Sequence, residues 1–175
     1  MEDNFDLNKL TKDKKPKKVN SRNKGQSFER KIATMLNNRF NTKEFCRSPG
    51  SGAFATTHNI PDHLKLHGDL LTPLDFKFCI ECKKGYNKEN ILSLLNKRSD
   101  VWKFIDQCEK DSKKCNKEPL VIFQQDRQKI LAITRSNTLN NNIKKIDIQR
   151  TGNKEYNNYS IYLFEDLLQD EDTWI

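Results

Sequence analysis

The run Phe76-Lys77-Phe78-Cys79-Ile80-Glu81-Cys82-Lys83 sets a carboxylate and an ammonium two residues apart. In an extended strand, successive side chains alternate between faces. Phe76, Phe78, Ile80 and Cys82 then share an apolar, core-directed face, while Lys77, Cys79, Glu81 and Lys83 share the other. Upstream, His67-Gly68-Asp69 offers a second carboxylate next to a glycine that permits a tight turn. Two carboxylates can hold a hard divalent cation such as Mg²⁺, which prefers oxygen ligands and keeps several waters. A lysine beside that cation can orient and help activate one of those waters. Asp69, Glu81 and Lys83 therefore form the smallest set in the chain suited to hydrolysing a phosphodiester.

Positioning these groups requires particular elements. Leu70, Leu71 and Leu74 predict a strand beginning at Asp69, and a turn around Thr72-Pro73 would join it antiparallel to the 76–83 strand. That hairpin would bring Asp69 near Glu81. Asp75 competes poorly, since it lies six residues before Glu81 on the same strand, roughly 20 Å away at about 3.3 Å per residue. Phe28, Ile32, Met35, Leu36 and Phe40 recur at helical spacing, which predicts a helix over 24–40 capped by Asn23 or Ser21. Glu29 projects toward the apolar stripe of that helix. A buried carboxylate needs a partner or a ligand, so Glu29 either pairs with a nearby Arg or Lys or leans toward the cation site. A short strand is expected at 43–47, followed by the glycine-rich stretch Ser48-Pro49-Gly50-Ser51-Gly52. Such a stretch suits phosphate contact through backbone N–H groups and hydroxyls, although a plain surface loop would look the same.

Farther along, Glu89 to Leu95 reads as a short helix or lid. Ser99 or Asp100 caps a longer helix carrying Val101, Trp102, Ile105 and Cys108, with Gln107 on its flank. Strands follow at 120–123 and 130–133, and 143–148 with 159–164 suggest a terminal hairpin before a short helix at 165–168 and a frayed acidic end. The predicted class is α/β, a mixed central sheet flanked by helices in the order α-β-β-β-α-β, with a C-terminal β-hairpin extension. Three regions are expected: a disordered basic arm over 1–23, a core over 24–134, and the extension over 135–175.

Composition narrows the partners. The 175 residues carry 32 Lys and Arg against 24 Asp and Glu, a net charge of +8. That excess favours polyanions, nucleic acid first. No apolar run approaches the roughly 20 residues of a membrane span, and no secretory leader is evident. Five cysteines without framework spacing read as reduced thiols. Cys79-X-X-Cys82 invites a zinc reading, but residues three apart on a strand face opposite ways.

With a helix Glu, an Arg-Ser-Gly loop, Gly-Asp and Glu-X-Lys in this order, the chain resembles the PD-(D/E)XK nuclease superfamily. Within it, the chain looks most like archaeal-type Holliday-junction resolvases and related bacteriophage endonucleases. The residues that carry the likeness are 24–30 (KGQSFER), 47–52 (RSPGSG), Gly68-Asp69 and Ile80-Glu81-Cys82-Lys83, and they span about 24–134. The resemblance implies a restriction-endonuclease-like core. It implies Asp69, Glu81 and the backbone carbonyl of Cys82 as Mg²⁺ ligands, with Mn²⁺ able to substitute and Glu29 joining directly or through water. Lys83 would position the attacking water. Lys24, Arg47, Ser48, Gly50, Ser51 and Gln107 would contact DNA or edge the site. Family habit implies a homodimer, and phage kinship would place the protein in the host cytoplasm. The leading expectation is a Mg²⁺-dependent endodeoxyribonuclease acting on branched DNA. A nuclease of linear duplex, a non-catalytic basic DNA-binding protein and a zinc module are the alternatives.

Overall fold

The computed structural model describes residues 20–49, 67–89, 91–95, 99–139, 142–150, 152, 156–170 and 174. The expected basic arm, apart from its last four residues, and the Gly50-Ser51 part of the glycine-rich loop lie outside them. Helix α1 spans Ser21–Phe40. Its cap is Asn20, whose side chain accepts from the Arg22 N–H, so the helix starts three residues earlier than its apolar spacing indicates. Phe28, Ile32, Ala33 and Leu36 form its buried stripe, and a fully buried side chain of that size contributes about 1.5–3 kcal/mol. The helix stops at Asn41, which adopts the left-handed conformation (φ 49°) and returns its N–H to the Asn37 carbonyl.

Strand β1 (Cys46–Arg47) pairs antiparallel with β2 (Leu70–Leu71) as a small separate ribbon. Here the structure corrects the expected hairpin. The 69–71 segment ladders with β1 and not with the Glu81 strand, because the two residues of β2 are spent on the Cys46–Leu71 and Arg47–Leu70 register. Strand β3 (Phe78–Lys84) forms one edge of a five-stranded sheet. Its neighbour is β4 (Glu118–Gln124), in parallel. Then follow β5 (Leu131–Arg135), β7 (Asn158–Leu163) and β6 (Lys145–Gln149), all antiparallel, in the order β3-β4-β5-β7-β6. The 143–164 region thus pairs as a hairpin and extends the same sheet. A 3₁₀ turn at Ile91–Leu95 precedes helix α2 (Asp100–Cys115), whose N-cap is Ser99. Helix α2 makes the crossover that a parallel β3–β4 pair requires.

The two helices cover opposite faces. Phe78, Ile80 and Cys82 of β3 and Leu120 and Ile122 of β4 pack with α1, while Val121 and Phe123 pack with Trp102, Ile105 and Cys108 of α2. Residues 78–82 are buried on both faces, as strands of a parallel pair under two helical layers must be. The architecture is a mixed α/β sheet with helices on either side, the restriction-endonuclease-like arrangement expected. Among the described residues no helix is long and apolar enough to cross a membrane.

Past β7, helix α3 (Phe164–Leu167) leads to Trp174, which is 1% exposed. Its ring stacks on Phe76 at 5.8 Å and meets Phe40, Phe78 and Phe164 edge-on, and its indole N–H donates to the Leu167 carbonyl. Trp174 is therefore an anchor where a frayed end was expected. Trp174→Ala should cost about 3–5 kcal/mol, the usual range for emptying a buried Trp site. Urea unfolding that left the midpoint in place would contradict this.

Candidate active site

Gly68 sets the geometry. Its φ of +77° lies in the left-handed region, and a Cβ there would come within 2.7 Å of the Ile80 carbonyl oxygen. Only glycine can approach β3 so closely. The next residue, Asp69, donates its N–H to the Ile80 carbonyl at 2.8 Å, and its carbonyl accepts from the Ser48 N–H at 2.9 Å. The Asp69 carboxylate accepts from the Cys82 N–H at 2.8 Å. Asp69 thus docks on the free edge of β3 by two hydrogen bonds without belonging to a ladder. Within a strand, a residue's N–H and C=O point to the same side. The Cys82 carbonyl is therefore presented to the edge where Asp69 sits.

Glu81 is 1% exposed and Asp69 8%. The Lys83 ammonium is ion-paired to Glu81 and donates to the Gln107 amide oxygen of α2 at 3.2 Å. It also lies 5.6 Å from the centroid of the Phe104 ring. Asp69, Glu81, Lys83 and Gln107 therefore stand together, Glu81 and Lys83 on one face of β3 as the strand alternation predicts. Glu29, buried on α1, is near enough for its charge to act on Asp69, yet its carboxylate is held by the Arg47 guanidinium at 2.5 Å. Arg47 itself is only partly exposed, and Ser48 is buried with no hydrogen-bond partner for its hydroxyl among the described residues. Lys24 pairs with Asp126 at 2.5 Å. Gly50 and Ser51 lie outside the described residues. Among the described residues no group of three or more His, Cys, Asp or Glu side chains is arranged to cage a metal. Cys82 joins the α1-side core, while Cys79 faces Cys115 of α2.

The electrostatics follow from burial. Desolvation raises the pKa of Glu81 to about 7, and the neighbouring Asp69 charge adds to this, while Lys83 pulls the other way. Asp69 is also raised, by burial first and then by Glu29, against the Cys82 N–H bond and Lys83, which lower it. Burial works against the Lys83 ammonium, but the Glu81 and Asp69 charges outweigh it and hold its pKa above the usual value. Two carboxyls that resist ionising together, beside a lysine that stays protonated, make a donor set short of one positive charge. Oxygen donors on a single strand edge suit a hard divalent ion that retains waters, for which a full protein cage is unnecessary.

Two nearby residues escaped the sequence reading. Lys84 sits on the α1 face, 5.4 Å from the Phe28 ring centroid, and its ammonium donates to the Gln124 amide oxygen. Tyr86 adopts φ +55° just after Gly85 at φ +101°. The run Lys83-Lys84-Gly85-Tyr86 was the available signal; the backbone turn that aims it carries none.

Comparison with known proteins gives two matches. The profile of the family described as "Phage putative PDDEXK endonuclease" matches residues 20–175. The chain is 33% identical over 132 residues to "Protein D14" of Escherichia phage T5, covering 71% of this chain and 78% of that protein. No solved structure matches.

The raised Glu81 carboxyl makes stability depend on pH. Its folded pKa of about 7 exceeds the ordinary 4.5, so the folded state binds the extra proton between those values. The stabilisation is complete below about pH 4.5 and is lost as pH rises through about 7. In chelator, thermal melts should fall over that window by on the order of 2 kcal/mol more for the parent than for Glu81→Gln, and added Mg²⁺ at pH 8 should recover the loss. Parallel pH profiles for the two proteins would refute the assignment.

Proposed function

The chain belongs to the phage PD-(D/E)XK endonuclease family, and on that premise we propose that it is a Mg²⁺-dependent endodeoxyribonuclease cutting branched DNA. The observation that carries this reading is the buried Asp69–Glu81 pair at the edge of β3, with the Lys83 ammonium held beside it. Asp69, Glu81 and the Cys82 carbonyl would hold the cation, and Glu29 could reach it through water. A bound divalent ion supplies a Lewis acid for the scissile phosphate and lowers the pKa of a nearby water.

The remaining work falls to the chain. Lys83, kept protonated by Glu81 and aimed by Gln107, orients the attacking water and stabilises negative charge gathering on the phosphate. Its position on a rigid strand fixes its distance from both carboxylates. The Cys82 N–H bond holds Asp69 in one rotamer, so the donors are in place before substrate arrives. Arg47 and Lys24, each now paired with a carboxylate, are poised to exchange that partner for a backbone phosphate. The branched-DNA assignment is supported by the motif order, which resembles the junction resolvases, and by cations of the kind that read backbone shape and not base sequence.

The test is a cleavage assay on a four-way junction and on linear duplex of matched sequence. Mg²⁺ or Mn²⁺ should permit junction cleavage and chelator should abolish it. Asp69→Asn, Glu81→Gln and Lys83→Met should each lower the rate by about 10²-fold or more while still binding DNA. Variants that cut at the parent rate would remove the site assignment. Equal cutting of duplex would remove the substrate assignment and leave the nuclease.

A further inference from the structure

Next to the carboxylate pair, the start of α1 and the turn after β3 enclose a groove of about 510 Å³, lined by Arg22, Lys24, Lys83, Lys84, Gly85 and Tyr86. That volume falls in the range of about 300–1,000 Å³ typical of small-ligand sites. Cations line it. The Lys24 ammonium stands 3.6 Å from where a Cβ on Gly85 would be, so the backbone at Gly85 is bare and a cation overhangs it. Lys84 is steadied by a neutral amide and an aromatic ring. Among the described residues it has no carboxylate within ion-pairing distance.

The lining also includes one aromatic residue, Tyr86. Tyr86 is 44% exposed, and its ring rests on Phe104 with centroids 4.7 Å apart. A bulky residue at φ +55° is uncommon and is kept only where its surroundings enforce it. Here they do. The Tyr86 carbonyl accepts from the Gln125 side chain at 3.1 Å and from the Glu89 N–H at 2.9 Å. Asn87 exchanges two hydrogen bonds with Asp126, which in turn holds Lys24. The loop that carries Tyr86 at the groove is thus braced.

Cations that track a backbone beside an exposed aromatic ring are the elements of a single-strand site, because any base can stack on such a ring. A base still paired within a duplex has both faces occupied by its neighbours and cannot use it. We propose that the groove takes an unpaired nucleotide of the DNA substrate, its base stacked on Tyr86 and its phosphate on Lys84 and Lys24. The nuclease reading underlies this only in placing the groove beside the cut. The consequence is a preference for DNA with unpaired nucleotides at the branch or gap.

The experiment uses the full chain in chelator and fluorescence anisotropy with two end-labelled probes of equal length, a paired duplex and one with a short single-stranded gap. The parent should prefer the gapped probe. Tyr86→Ala should lose that preference by about tenfold, while Tyr86→Phe, which retains the ring, should keep it. Lys84→Gln should weaken binding to both probes and lower the salt slope by about one. A parent with no preference, a Tyr86→Ala protein that retains it, or a Tyr86→Phe protein that loses it would each overturn the proposal. Because these titrations read no cleavage, a protein that behaves as expected but cuts nothing with Mg²⁺ keeps the groove and loses the nuclease reading. One that cuts junctions but ignores the gap does the reverse.

Discussion

Two carboxyl groups desolvated in one corner are the constraint around which this molecule is arranged. Glu81 comes from the buried middle of β3 and Asp69 from a turn pressed against the same strand. Bringing both out of water without compensation is unfavourable. The surroundings offer partial relief: a backbone N–H to Asp69, an ammonium to Glu81, and a raised affinity for protons in both. The relief is incomplete, since both carboxyls still hold their protons more tightly than they would in water.

Around that corner three cations are already paired. Lys83 pairs with Glu81, Arg47 with Glu29, and Lys24 with Asp126. Partly buried pairs of this kind hold long side chains in fixed positions more than they stabilise the fold.

How much of this was legible before the fold was known differs residue by residue. The alternation of β3 was plain, because period-two patterning in Phe78, Ile80 and Cys82 leaves Glu81 and Lys83 nowhere to go but the other face. The helix bearing Glu29 was equally plain from its 3.6-residue stripe. The convergence of Asp69 on Glu81 was anticipated, but by the wrong device. A hairpin was expected, whereas Leu70–Leu71 pairs with Cys46–Arg47 and Asp69 alone reaches β3, through its N–H and its carboxylate. Such a choice between strand partners depends on contacts far apart in the chain, which local pattern does not encode. For the same reason Arg47 could not be assigned to Glu29, nor Asp126 to Lys24. Trp174 was hidden by its acidic neighbours, since one aromatic residue in a polar stretch has no periodicity to reveal it.

The aromatic cluster under β3 has a temporal consequence. Phe76 and Phe78 precede the site, but Phe164 and Trp174, which complete their packing, follow almost the entire fold. Chains grow from the amino end, and long-range contacts close late. A nascent polypeptide on the ribosome therefore displays every acidic and basic group of the site well before the strand carrying them is clamped. Geometry lags behind composition, since the packing under β3 waits for residues made after the whole sheet.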